Sequence, residues 1–161
     1  RPDSLASHGF VHLSTPKQVH LPANRLYAGR TDLAFDMATQ DEHPSYGNWI
    51  KRGATTFWED WNEGSSRNHI MFGDLTAWFF RYAAGFRHLP ENPGWRHIAI
   101  EPKNLAALDS VSATYRGYAV KWVREGGSLA LRVTVPPKCR ADVTPPGGKT
   151  VVCDPGEHVF G

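Results

Sequence analysis

Cysteine is nearly absent. The chain has two, Cys139 and Cys153, and neither a CxxC pair nor a Cys/His pattern of zinc-ligand spacing occurs. They stand fourteen residues apart in stretches that read as adjacent strands, so a disulfide and two buried thiols both fit. Long apolar runs are missing too. Nothing approaches the ~20 residues of a membrane span, so no membrane partner is expected. Basic clusters are also missing. Lys and Arg number 18 against 16 Asp and Glu, a net charge of +2, spread along the chain. Without a basic patch, nucleic acid is not an expected partner. The eight histidines fall without ligand spacing, so no metal is expected, and nothing implies a cofactor. Internal repeats and low-complexity segments are lacking. The first residues, RPDSLASHGF, carry no charged-then-apolar pattern and do not begin with Met. Localisation is therefore not legible at that end.

Aromatics, by contrast, are plentiful: six Trp, five Tyr and eight Phe among 161 residues. Such a chain fits one domain or two small ones and is long enough to bury a core. Aromatic rings fill cores, and they also offer flat faces to the apolar side of a sugar. Up to about residue 90 apolar residues recur at helical spacing. TDLAFDMATQ places Leu33, Ala34, Met37 and Ala38 on one face, with Thr31 or Asp32 as N-cap. PSYGNWIKRG reads as a short helix stopped by Gly53. The longest candidate runs from Asn68 to Ala84, with Ile70, Met71, Leu75, Trp78, Phe79, Tyr82 and Ala83 as its stripe and Gly85 closing it. TPKQVHLPANRLYAG is less regular, because Pro22 would break a helix at its middle.

RHLPENPGW, with two prolines, reads as a linker or tight turn. Beyond it the period is two. Strands are expected at about 110–116, 118–124 and 128–135, with Gly126-Gly127 as the turn between the last two. CRADVT, KTVVCD and EHVFG supply three more. Short strands with turn signals between them suggest an antiparallel β-sandwich. Helices first and strands afterwards give an α+β chain of two units, residues 1–89 and 90–161.

Four carboxylates lie inside the most aromatic stretch, Gly53–Phe80, which also holds three Trp, four Phe and one His. Glu59 stands between Trp58 and Trp61, after β-branched residues that favour an extended backbone. Partial burial disfavours the charged form of a carboxylate, which suits a general base near neutral pH. A salt bridge to Lys51 or Arg52 would explain the same residue. Asp60 and Glu63, beside Asn62, Gly64 and Ser65, read as a polar loop. His69 falls near the expected start of the long helix, where the dipole favours a neutral imidazole that can bond a hydroxyl ligand. A capping or core histidine fits there equally.

GATTFWEDW followed by SSRNHIMFGDLTAWFFRYAAGF resembles the end of the catalytic domain of glycoside hydrolase family 78, the α-L-rhamnosidases. AGRTDLAFDMATQDEHPSYGNWIKRGATTFWE is similar to the segment before it, and NPGWRHIAIEP to the passage into that family's C-terminal sandwich. The resemblance covers almost the whole chain. It implies partial (α/α)6-barrel helices followed by an antiparallel β-sandwich, and hydrolysis of terminal α-L-rhamnosyl residues with inversion. It implies that Glu59 is the general base, that His69 contacts the sugar, and that Trp58 and Trp61 line the pocket. The family's general acid lies upstream of Arg1. A full barrel needs twelve helices and roughly four are read here. The implied partners are a rhamnose-containing glycoside or polysaccharide, and a missing N-terminal barrel segment or an oligomer. Two other readings stay open. One is a carbohydrate-binding or interaction module in which the sandwich does the binding. The other is a related barrel glycosidase or lyase acting on another sugar.

Overall fold

The structure is a computed structural model that describes residues 31–161 apart from Glu63 and Met71. The irregular stretch around Pro22 lies outside the described residues. Helix α1, Thr31–Thr39, forms where expected, but its buried side differs. Phe35 is the buried residue, edge-on to Phe79 with ring centroids 6.3 Å apart. Leu33 and Met37, expected on the core face, are 38% and 48% exposed. The helix turns Phe35 toward Leu105 and Ala83 because those are the apolar surfaces beside it. Helix α2, Tyr46–Lys51, follows the expected bounds. The Ser45 hydroxyl accepts the Asn48 amide at 3.0 Å, an N-cap. Gly53, at φ 85°, ends the turn in the left-handed region where glycine carries no Cβ penalty.

The long helix expected over 68–84 is much shorter. Helix α3 spans only Asp74–Trp78 and runs straight into a π-helical turn, Phe79–Ala83. Residues 66–69 are committed elsewhere. The Glu59 amide donates to Ser66 O at 2.8 Å and the His69 amide to Phe57 O at 2.8 Å, while Gly73 N closes a turn on Ile70 O. Ile70, expected in the apolar stripe, is 86% exposed. Gly85 ends the helix at φ 85°, and a Cβ there would meet Pro102 N at 2.2 Å.

Eight strands follow. β1, Phe86–His88, and β2, His97–Ile100, flank the expected turn, so the first strand precedes residue 90. β3 is Ser110–Tyr115, β4 Tyr118–Glu125, β5 Ser128–Val135, β6 Arg140–Val143, β7 Val151–Cys153 and β8 Gly156–Phe160. They form two four-stranded sheets, ordered β1-β2-β6-β7 and β3-β4-β5-β8. Every pair is antiparallel except β2–β6. That exception to an all-antiparallel sandwich arises because the chain leaves β2, builds three strands of the other sheet, and returns alongside β2. Gly126 and Gly127, both at positive φ, make the expected hairpin turn.

The core lies between the sheets and follows strand alternation. Tyr118, Val120 and Trp122 of β4 stand beside Leu131, Val133 and Val135 of the neighbouring β5, and together they cover the Ile98, Ile100, Ala141 and Val143 row of the other sheet. Phe80 of the π turn packs against the same cluster. Both cysteines are free thiols. The β6–β7 register sets Cys153 opposite Ala141, not Cys139, which explains why no disulfide forms. Burial pushes the Cys153 thiol above its ordinary range.

Candidate active site

Between α2 and α3 the chain makes a narrow double loop. Residues 56–59 run beside 66–69, joined by the Glu59–Ser66 and His69–Phe57 backbone bonds and by the Thr56 hydroxyl donating to Arg67 O. This is neither a strand pair nor a helix start, so His69 sits five residues before α3. The expectation of a histidine at a helix N-terminus is corrected: His69 lies in the double loop, ahead of α3.

Glu59 is half-buried, and its Oε2 accepts the Ser66 amide at 3.1 Å. Lys51, one of its possible salt-bridge partners, is taken by Asp41 at 2.7 Å. Asp60 turns into its own loop. Its Oδ1 accepts the Asn62 amide at 2.7 Å and the Gly64 amide at 3.3 Å. The Ser65 side chain, together with these amides, holds the Asp60 carboxyl below its usual range. Asp60 is thus a loop-fixing residue, as a polar-loop reading implies. Glu63 lies outside the described residues.

Beneath the loop is an aromatic cage. Tyr46 is its hub, meeting Trp49, Phe57, Trp61 and Phe72 edge-to-face at centroid distances of 5.7, 6.0, 5.5 and 6.4 Å. Such pairs contribute beyond their buried area. Trp49 stacks on Trp61 at 4.3 Å and lies 5.7 Å from Trp58. Trp58 is 4% exposed, and the Arg67 guanidinium stands 5.1 Å over its ring. Trp61 is half-buried. The Tyr46 hydroxyl donates to Phe72 O at 3.2 Å. Burial, and then the negative charge of Asp74, push that phenol up to about 12, so it stays a donor at neutral pH.

The structure therefore brings Glu59, Trp58, Trp61 and His69 into one loop-and-cage unit. Sequence reasoning missed Tyr46, Trp49 and Phe72 as its foundation. The signal was there, since Tyr46 and Trp49 are spaced i, i+3 on one helix face. A groove of about 800 Å3 lies elsewhere, between α3 and the sandwich, walled by Trp78, Phe80, Tyr82, Trp95 and Tyr115. None of the four candidate residues lines it. In this chain the Glu59 loop is an open surface.

Residues 16–83 match the family model for the bacterial alpha-L-rhamnosidase 6 hairpin glycosidase domain, and residues 85–159 that for the bacterial alpha-L-rhamnosidase C-terminal domain. Among curated relatives, an alpha-L-rhamnosidase of Alteromonas sp. (strain LOR) is 31% identical over 140 residues, 78% of this chain and 15% of the relative. One from Streptomyces avermitilis is 30% identical over 152 residues, 85% of this chain and 14% of the relative. Solved structures agree. The S. avermitilis alpha-L-rhamnosidase complexed with L-rhamnose superposes with TM-score 0.73 at 25% identity, over 87% of this chain and 17% of that one. The alpha-L-rhamnosidase of Dictyoglumus thermophilum gives 0.76 at 25% identity, over 98% and 22%. The chain thus spans about 15% of the length of the first of these relatives.

Proposed function

The chain belongs to the bacterial α-L-rhamnosidase family, and on that premise we propose that it is the C-terminal part of a longer inverting α-L-rhamnosidase. Residues 1–89 supply the last helices of an (α/α)6 barrel and residues 90–161 the sandwich, with β1 counted to the sandwich. Glu59 is the general base. Its Oε2 is fixed by the Ser66 amide, which leaves Oε1 to accept a proton. A water held by Glu59 attacks the anomeric carbon of a terminal α-L-rhamnosyl residue and gives its proton to the carboxylate. The bond to the aglycone oxygen breaks, and an acid in the preceding part of the barrel protonates that oxygen. Inversion asks for two carboxyl groups about 6.5–9.5 Å apart, with room for the water. His69 and Trp61 contact the sugar, and Trp58 holds up the loop from within the cage. The substrate is a rhamnose-containing glycoside or polysaccharide. The partner is the rest of the barrel.

The observation that carries this reading is the Glu59 loop, seated on an aromatic cage in the segment that matches the glycosidase domain. The test is Glu59→Gln in the natural full-length polypeptide, followed by release of 4-nitrophenol from its α-L-rhamnoside. Loss of a general base costs ~10²–10⁴ in rate. Near-normal turnover would remove Glu59 from the mechanism.

A further inference from the structure

The last turn of a helix leaves carbonyls without intrahelical donors. After the π turn Phe79–Ala83, the sandwich and its leading strap supply those donors. Trp122 Nε1 donates to Ala83 O at 2.8 Å, Lys103 N to Tyr82 O at 2.8 Å, and Glu101 N to Gly85 O at 2.9 Å. Trp122 is fully buried at the centre of the sandwich core. Gly85 lets the strap approach so closely that a Cβ would meet backbone atoms at 2.2–2.7 Å. Phe80 of the π turn packs into the sandwich cluster. The π turn that continues α3, with Gly85 just beyond it, is therefore clamped by three hydrogen bonds and an apolar contact.

The other end of the same helix leads into the cage. Phe72 stands just before α3, touches Tyr46, Trp49 and Trp61, and accepts the Tyr46 hydroxyl. Trp61 and Phe57, on that cage, flank Glu59 in sequence, and Phe57 O holds the His69 amide. The helix between the two ends is short, five α residues and five π residues. A short rod clamped at one end transmits position to the other. π turns are common at functional sites, and this one sets which carbonyl faces Trp122.

We propose that the sandwich positions the Glu59–His69 loop through this helix, with Trp122 as the positioning residue. The proposal rests on the reading of Glu59 given above. Trp122 touches no substrate; it fixes the strut on which the loop's cage is built.

The test uses Trp122→Phe in the natural full-length polypeptide, with Val133→Ala as a control. Val133 is fully buried in the same core, on a strand whose backbone partners are β4 and β8 alone. Both variants should lower stability. Trp122→Phe should also lower kcat about tenfold, less than the ~10²-fold that a 1 Å misplacement costs. KM should stay within about twofold, because ground-state binding is not what is lost. Hydrogen exchange at the Glu59 and His69 amides should speed up in Trp122→Phe and not in Val133→Ala. If Trp122→Phe folds poorly, benzothienylalanine at position 122 keeps the shape and removes only the N–H, and the same result is expected. Unchanged kcat and unchanged exchange at those amides would overturn the proposal. Should Glu59→Gln prove fully active, the general-base reading falls, while the exchange measurement still decides whether the strut exists.

Discussion

The helical part is much richer in aromatics than the sandwich, and the two close their rings differently. In the sandwich, Tyr118, Trp122, Ile98 and Val133 are wholly buried, and its exposed valines, Val151, Val152 and Val159, sit on edge strands. Most of these buried side chains pack within the two sheets, and Trp122 reaches out of them to Ala83 O of the π turn. In the helical part, Trp49 and Trp58 are nearly as buried, yet Ile50 and Ile70 stand 70% and 86% open beside Leu33 and Met37. Trp49 Nε1 and Asn48 Oδ1 are buried without a hydrogen-bond partner, a condition that folded proteins rarely leave in place. One region closes its core almost wholly with its own strands and takes only the π turn from outside. The other has a closed centre within an open face, as expected of a barrel sector deprived of its neighbours.

The largest effect is on activity. The 161 residues alone should release no free rhamnose from rhamnosides above background, because the proposed mechanism takes its acid from a preceding part of the barrel. Turnover abolished by Glu59→Gln in this short chain would mean that it carries a complete site. Next comes Trp49→Ala. Removing this ring should cost about 3–5 kcal/mol of helical-part stability. Chemical denaturation followed by near-UV circular dichroism should then separate an early helical transition from an unchanged sandwich transition. A single cooperative shift of both would argue that the two regions are not independent. Ser45→Ala should cost about 1 kcal/mol through loss of the α2 cap, read as a shift in the first transition only. Leu33→Ser and Met37→Ser should change the short chain by less than about 0.5 kcal/mol, as exposed sites do. In the full-length protein the same changes should cost more, since barrel neighbours would cover that face.

The contrast also explains what could be read from the chain beforehand. β3, β4 and β5 were legible almost to the residue. Their alternation, visible in the burial of β5 from Leu129 to Val135, is imposed by partners inside the same chain. The Gly126-Gly127 turn fixed the register. β1 was not legible, because three residues beside a proline turn give no period. The parallel β2–β6 pair depends on how distant segments return, which local pattern does not encode. In the helical part, periodicity marked an apolar face on α1 but chose Leu33 and Met37 over Phe35. A pattern specifies which side chains want cover and says nothing of which neighbour is present. The 68–84 helix was overread for a related reason. Ile70 and Met71 continue the stripe, but the bonds from Phe57 and Glu59 to His69 and Ser66 had already claimed that backbone. Glu59 and His69 were named from their motif, whereas the cage under them follows from long-range packing that the motif does not encode.

The most direct test of the account combines Glu59→Ala with azide in the full-length polypeptide, using 4-nitrophenyl α-L-rhamnoside. The 4-nitrophenolate leaves without help from an acid, and azide needs no base to attack. The account predicts a rate collapse of ~10²–10⁴ without azide. With azide, the rate should recover, and proton NMR should identify β-L-rhamnosyl azide, the inverted product. An unchanged rate without azide, or an α-configured azide, would contradict Glu59 as the base of an inverting reaction.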